Sequence, residues 1–273
     1  MASKNISSRT RPAKIDSGRV IKSSKSPAVS KRVVKKKDSS TLKSAAGKAP
    51  DSSAWIARSK KLAEIFGPEF PKGKYLLPDG NLATAVSAQA IPVCVVQYAP
   101  RPDRMSWVYV TNGLSQTNQG SAKSAGTELV LLWRQRDTTL TSRILCHVSN
   151  YILESGNAVS VNQIVTGQDV PKLGATGFQH WLACKPDANI PDHIEHSKSK
   201  TNLLILVGIT DAEMQVALKV NPALADGKRV LLEALRVGGV FPVTDPARVC
   251  LTRRRDFNRL WESAFRLVKE KHV

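Results

Sequence analysis

The segment Asn202-Leu203-Leu204-Ile205-Leu206-Val207-Gly208 constrains this chain more than any other. A short apolar run closed by Gly reads as a buried strand. Ile209-Thr210-Asp211-Ala212-Glu213 follows with no room for a loop. Thr210 and Glu213 stand at the spacing where a hydroxyl accepts the amide three residues on and a carboxylate reaches back to the first. A helix therefore begins at once, and any fold for this chain must hold a buried strand that passes straight into a helix.

Other elements fall on either side. A helix starts at Ser52 or Ser53, with Trp55, Ile56, Leu62, Ile65 and Phe66 on one face, and Gly67-Pro68 stops it. A Pro/Gly-rich connector runs on through Asp79-Gly80. Three strands are expected at Ile91–Tyr98, Ser106–Thr111 and Thr127–Trp133, with the Asn112-Gly113 turn after the second and a flexible polar loop from Gln116 to Gly126. Leu140, Ile144, Leu145, Val148, Tyr151 and Ile152 make the stripe of a helix over 139–155, with Gly156 as its cap. Strands are expected near Ala158–Val165 and at Phe178–Cys184, and a polar loop at 185–201. A helix over Gly227–Val237 has Asp226 as N-cap and Gly238-Gly239 as its stop. The last helix, about 256–270, carries Phe257, Leu260, Trp261, Ala264, Phe265 and Val268 on one face. Strict strand–helix–strand alternation is absent. The order predicts an α+β domain over 52–273, a mixed sheet covered by helices.

Residues 1–51 are of another kind. Lys, Arg, Ser, Ala and Pro dominate, and such a segment buries too little surface to offset its ordering entropy, so a disordered N-terminal arm is expected. The chain carries 41 basic and 22 acidic residues, +19 overall. The first 50 residues hold 14 basic and 2 acidic ones, +12, which leaves +7 for the remainder. The densest point is Lys31, Arg32, Lys35, Lys36 and Lys37. It suits sequence-independent contact with nucleic acid, or simply a solubilising tail. The composition also resembles that of an organelle transit peptide, although no amphipathic helix is visible in it. No run approaches the roughly 20 apolar residues of a membrane span, and no apolar core follows the N-terminal charges as in a secretory signal. Cys94, Cys146, Cys184 and Cys250 form no CxxC pair and sit in apolar runs. That is the pattern of buried free thiols in a reducing compartment.

Catalytic constellations are not evident. The chain has no GxSxG, no HExxH and no phosphate-cradling glycine loop. His193 and His196 lie three apart beside Glu195 without a third ligand at a matching offset. His147 and His180 sit within predicted elements, where a packed, hydrogen-bonded histidine is the expectation and a general base the alternative. The five tryptophans, Trp55, Trp107, Trp133, Trp181 and Trp261, read as core. Trp107 is the best candidate for another role, because it stands near the Asn112-Gly113 turn. Arg253-Arg254-Arg255 is either a phosphate site or a solvated basic turn. No cofactor and no metal site are expected.

The order of segments resembles the Suppressor of Fused domain family. Trp107 followed by Tyr109-Val110-Thr111-Asn112-Gly113-Leu114-Ser115 is similar to the family's "W…T-S-G-M-S" signature. Glu128-Leu129-Val130-Leu131 fits its Glu-Leu strand, helix 139–155 and Gly177-Phe178 follow in order, and Leu203–Val207 with Ile209-Thr210-Asp211-Ala212-Glu213-Met214 resembles its "P-I-T-x-x-E" step. Asn112 replaces the usual Ser, and Gly208 a usual Pro. The resemblance covers roughly residues 55–270. It implies a mixed α/β protein-binding domain without catalytic residues, and a cytoplasmic location is expected beside it. Animal members clamp a transcription-factor peptide, and bacterial ones are associated with neutralising toxins of contact-dependent competition. Without the animal protein's C-terminal extension, a bacterial single-domain form is expected, with its partner contact on a rim that includes Trp107, Asn112, Gly113 and Ser115. The alternatives are nucleic-acid association through the arm and an enzyme in which His147 or His180 meets a carboxylate.

Overall fold

The apolar runs become the strands of one seven-stranded mixed sheet. The computed structural model describes residues 52–70, 93–116, 126–155, 159–166, 177–187, 189–196 and 199–270. The expected arm, the connector from residue 71 through Gly80, most of the loop after Gln116 and the Gly156 cap lie outside the described residues. Helix α1 spans Ser52–Phe66, and β1 (Cys94–Tyr98), β2 (Trp107–Asn112) and β3 (Gly126–Trp133) follow. After α2 (Thr138–Ser155) come β4 (Ile164–Thr166), β5 (Phe178–Cys184), β6 (His193–His196) and β7 (Ser199–Thr210). Helices α3 (Asp211–Leu218), α4 (Gly227–Val237) and α5 (Phe257–Glu270) complete the described chain.

The strand order is β1-β2-β3-β7-β5-β4, with β6 also on β7. β3 and β7 are parallel and the other pairs antiparallel. The strands read as near-continuous apolar runs because both faces are covered. Val96, Val110, Val130, Ile205 and Val207 face α1, α3, α4 and α5, whereas Val95, Tyr109, Leu131, Trp181 and Leu206 face α2.

The helices obey their sequence signals. Thr210 and Glu213 form the reciprocal capping box of α3, and Asp226 caps α4 through the Lys228 amide. Helix α4 stops where Gly239 takes φ 69° and the Val240 amide reaches back to the Leu235 carbonyl. That bond answers one of the helix's open carbonyls. Helix α5 buries Leu260, Ala264 and Val268 along α4.

Several expectations need correction. Residues 185–201 are not a plain loop, since they contain β6 and the start of β7, a hairpin with polar side chains. The strand expected near Ala158–Val165 is confined to Ile164–Thr166. Before it, Asn162 adopts φ 65° and the Gln163 amide closes a turn on the Ser160 carbonyl. Ile56 and Tyr151 are 61% and 41% exposed. Each lies roughly 100° around the helix from the buried stripe it was assigned to.

Gly208 acts by its small size. Its φ is not positive. A Cβ there would stand 3.0 Å from Thr244 Cγ2 and 3.1 Å from both Phe178 Cδ2 and Trp181 Cζ3. Thr244 is fully buried where β3 and β7 part. Its amide donates to the Leu132 carbonyl, its carbonyl accepts from Arg134, and its hydroxyl accepts from the Gly208 amide at 3.1 Å. Gly208→Ala is expected to lower unfolding free energy by about 1–3 kcal/mol through overpacking, read by urea denaturation. An unchanged midpoint would refute the close packing.

Candidate functional site

The Thr111–Ser115 signature folds around one carboxylate. Glu128 is the sole charge in an otherwise apolar strand, and β3 carries it to the face beneath α1, fully buried. Gly113 takes φ 114°, a backbone shape that suits glycine. The turn aims the amides of Gly113 and Ser115 at Glu128 Oε1, at 3.0 and 3.1 Å. Ser115 Oγ donates to the same oxygen at 2.7 Å, and Thr111 Oγ1 donates to Oε2 at 2.7 Å. Arg58, on the buried stripe of α1, brings Nε to 3.3 Å from Oε1 and donates from it to Asn112 Oδ1 at 2.6 Å. Asn112 Nδ2 in turn donates to Ser59 Oγ at 2.7 Å. Both Nη atoms of Arg58 are buried without a hydrogen-bond partner, so this cation depends on the charge of Glu128. Gly126 closes the corner, because a Cβ there would fall 2.2 Å from the Ser115 carbonyl oxygen.

A second buried acid sits at the β7–α3 step. Glu213 takes a bidentate pair from Arg248 at 2.6 and 2.7 Å, plus the amides of Leu251 at 2.6 Å and Thr210 at 2.9 Å. Burial alone would raise its pKa, but the Arg248 bonds and charge and the two amides outweigh it and hold the carboxyl below the usual range. Arg248 also lies over the Phe178 ring at 4.6 Å and donates to the Gly208 carbonyl.

The four residues of the expected rim do not share one surface. Trp107 opens β2 and Gly113 follows its end, so a six-residue strand separates them, roughly 17–20 Å. Asn112 is fully buried, and Gly113 and Ser115 face inward to Glu128. Trp107 is half-buried on the α2 side. Phe70 meets it edge-on at 5.4 Å, and the Arg136 guanidinium covers both rings at 4.9 and 5.5 Å.

The remaining candidates are distributed through the fold. His193 and His196 lie three apart on one strand, hence on opposite faces. His193 contacts Asp192. His196 is buried against Thr201 at 2.9 Å, and burial, then the charge of Arg58, holds its pKa below the usual range. His180 is 4% exposed, with Nδ1 3.2 Å from Thr166 Oγ1 and Nε2 3.5 Å from Asp211 Oδ1. His147 is half-buried on α2. All four cysteines are free, Cys146 and Cys250 being only partly buried. Burial pushes the Cys94 and Cys184 thiols up to about 12, so neither is a thiolate at neutral pH. Trp133 and Trp181 are core, while Trp55 and Trp261 are half-buried. In the 253–255 turn, Arg254 clamps Asp256 and the Gly238 carbonyl, which leaves Arg253 and Arg255 exposed. Among the described residues no group of three His, Cys, Asp or Glu converges on a metal position, and no helix is long and apolar enough to cross a membrane.

Sequence reasoning overlooked Arg58, Arg248 and the role of Glu128. The signals were present: a lone acid inside an apolar strand, and an arginine between Trp55 and Leu62 on an apolar stripe.

A protein-family model, Suppressor of fused protein (SUFU), matches residues 89–249. No curated protein matches the chain. Among solved structures it is similar to the chain of the Sufu–Fu complex, at 17% identity and TM-score 0.56, over 79% of this chain and 97% of that one. It is also similar to Drosophila Suppressor of Fused, at 16% identity and TM-score 0.56, over 80% of this chain and 54% of that one. A SUFU homologue from Neisseria gonorrhoeae aligns at 16% identity and TM-score 0.53, over 73% of this chain and 97% of that one. At these identities the likeness establishes the fold.

Two outcomes are expected. Glu128→Ala strands a buried guanidinium and lowers stability by about 3–5 kcal/mol, read by chemical denaturation; a loss below about 1 kcal/mol would mean the pair is not desolvated. The stability contributed by Glu213 is present above the ordinary glutamate range and is lost as pH falls through its lower folded pKa. Unfolding free energy should therefore fall between about pH 5 and pH 3, less steeply in Glu213→Gln. Equal slopes in both proteins would contradict this.

Proposed function

The chain belongs to the Suppressor of Fused family, and from that premise we propose that it is a non-enzymatic domain that binds a protein partner, neutralising a toxin or scaffolding an assembly in a bacterial cytoplasm. The observation that carries this reading is its fold likeness to a chain solved in a complex of two proteins, Sufu and Fu, of which it covers 97%. The chemistry of the interior supports it. Among the described residues the two buried acids, Glu128 and Glu213, are bonded into the fold, and the buried thiols of Cys94 and Cys184 are held protonated.

Of the four signature residues, Trp107 remains the proposed contact residue, and Ser115 is bonded inward to Glu128. Trp107 combines a large apolar surface with a polar N–H, the chemistry of interface anchors. Asn112 and Gly113 act by holding the corner. The charge of the domain limits its partner. Residues 51–273 carry +7, whereas proteins that cover a basic nuclease surface need the opposite sign. A toxin neutralised by this chain is expected not to be a basic nuclease, and co-expression rescue from one would contradict that.

A second reading, nucleic-acid association through Lys31, Arg32, Lys35, Lys36 and Lys37, rests on the +12 charge of the first 50 residues. One experiment separates the two. The full chain is used as bait in cell extract, with and without nuclease. A protein retained after nuclease, and lost by about tenfold or more in Trp107→Ala, supports partner binding at that surface. Enrichment that disappears with nuclease, and with deletion of residues 1–51, would place the function in the arm.

A further inference from the structure

The α1 side of the sheet opens at the end of β3 into a cavity of about 330 Å³, within the usual range for ligand pockets. Five chain segments meet there. Phe66 and Leu132 give it an apolar floor, and Val243 and Ile190 add apolar wall. Met105, 76% exposed, stands on its rim.

Two polar groups in its wall are incompletely paired. Arg104 is half-buried, lies over the Phe66 ring at 5.6 Å, and makes its hydrogen bonds to backbone carbonyls alone. Nε donates to Ser106, and Nη2 to Phe66 and Ala99. Nη1 takes part in none of these. Carbonyl dipoles do not cancel a full charge, and the nearby Asp103 carboxylate is turned to Arg101 at 3.2 Å. Burial first, and then the repulsion of Arg101, holds the Arg104 pKa below the usual arginine range, against the smaller opposing effect of the Asp103 charge. Ser106, 2% exposed, lines the same cavity, and its Oγ has no hydrogen-bond partner. On the outer wall Arg134 is paired with Asp245 at 3.3 Å. Asp187, the remaining acid of the wall, comes from the segment after β5. A guanidinium with no carboxylate bonded to it, beside an unpartnered buried hydroxyl and an apolar floor, is complementary to a carboxylate attached to a bulky apolar group.

We propose that this cavity receives a short segment of a protein partner in which an aspartate or glutamate adjoins a bulky apolar side chain. The apolar group enters over Phe66 and Leu132, and the carboxylate pairs with Arg104 and accepts from Ser106 Oγ. This deepens the binding reading and rests on it. It assigns a surface on the opposite face of the sheet from Trp107.

The test uses the full isotope-labelled chain and two peptide pools. One is acetyl-Gly-Xaa-Asp-Zaa-Gly-amide, with Xaa and Zaa drawn from Leu, Ile, Phe and Met. The other is identical except for Asn in place of Asp. The acidic pool is expected to shift the amide resonances of Phe66, Ser106, Leu132 and Val243. The neutral pool should bind about tenfold more weakly, the worth of one charge-assisted pair. Met105→Glu places a repelling charge on the exposed rim, so it should weaken the acidic pool by a similar factor at an unchanged melting temperature. Arg104→Met should bring the two pools to equal affinity, and the Met105 variant keeps the test decisive if that protein does not fold. The proposal is overturned by equal binding of the two pools to the wild type, by full affinity in Met105→Glu, or by no shifts at these residues at millimolar peptide. A partner held equally by wild type and Met105→Glu would leave the binding reading standing and sink the cavity. Peptide binding as described, without any protein partner of the full chain, would do the reverse.

Discussion

A carboxylate buried in a two-faced sheet governs this architecture. Taking Glu128 out of water is costly unless every lone pair is answered, and the answers come from three different places. Helix α1 supplies Arg58, β2 supplies Thr111, and the turn supplies two amides and the Ser115 hydroxyl. The requirement therefore fixes where α1 lies, how β2 ends and why Gly113 takes a left-handed shape. Apolar packing would hold α1 against the sheet in many nearly equivalent positions. The ion pair selects one.

The β7–α3 step repeats this logic. Glu213 closes its own helix cap and also holds Arg248 and the Leu251 amide, which draws the chain after α4 back over the end of the sheet. Both acids thus join segments far apart in sequence. Ionisable groups used as internal fasteners are tied up in the fold, and the two surfaces proposed for a partner are the aromatic stack at Trp107 and the cavity beside Arg104. These lie on opposite faces of the sheet.

Most of the architecture was legible where one physical effect acts alone. The α5 stripe, the Thr210–Glu213 box and the Asp226 cap needed only periodicity or local hydrogen bonding. Legibility failed where long-range contacts decide. The 185–201 segment is polar, yet it forms the β6–β7 hairpin because β7 offers an edge and because His196 and Thr201 bond to each other when buried. Ile56 was placed on the stripe of α1, which turns instead to bury Arg58 for the sake of Glu128. The family signature was legible as a motif. Its geometry was not: read linearly, Trp107 and Ser115 are neighbours, whereas a strand holds them at opposite ends of the sheet. Nothing local to Arg104 or Ser106 announces a cavity, since its floor and far wall come from α1, β3 and the segment before Thr244.

The uniform apolar stretch of β7 has one last consequence. A strand with one wet face carries its alignment in its own pattern, since a slip of one residue would put oil in water. Leu203 to Val207 carries no such message: every residue is buried whichever way it turns. The alignment is written instead as punctuation at the two ends. Thr201 reads against His196 at one end, and at the other Gly208 reads against Thr244 and Glu213 against Arg248. The middle of the strand supplies adhesion without an address, and a few polar marks outside it supply the address.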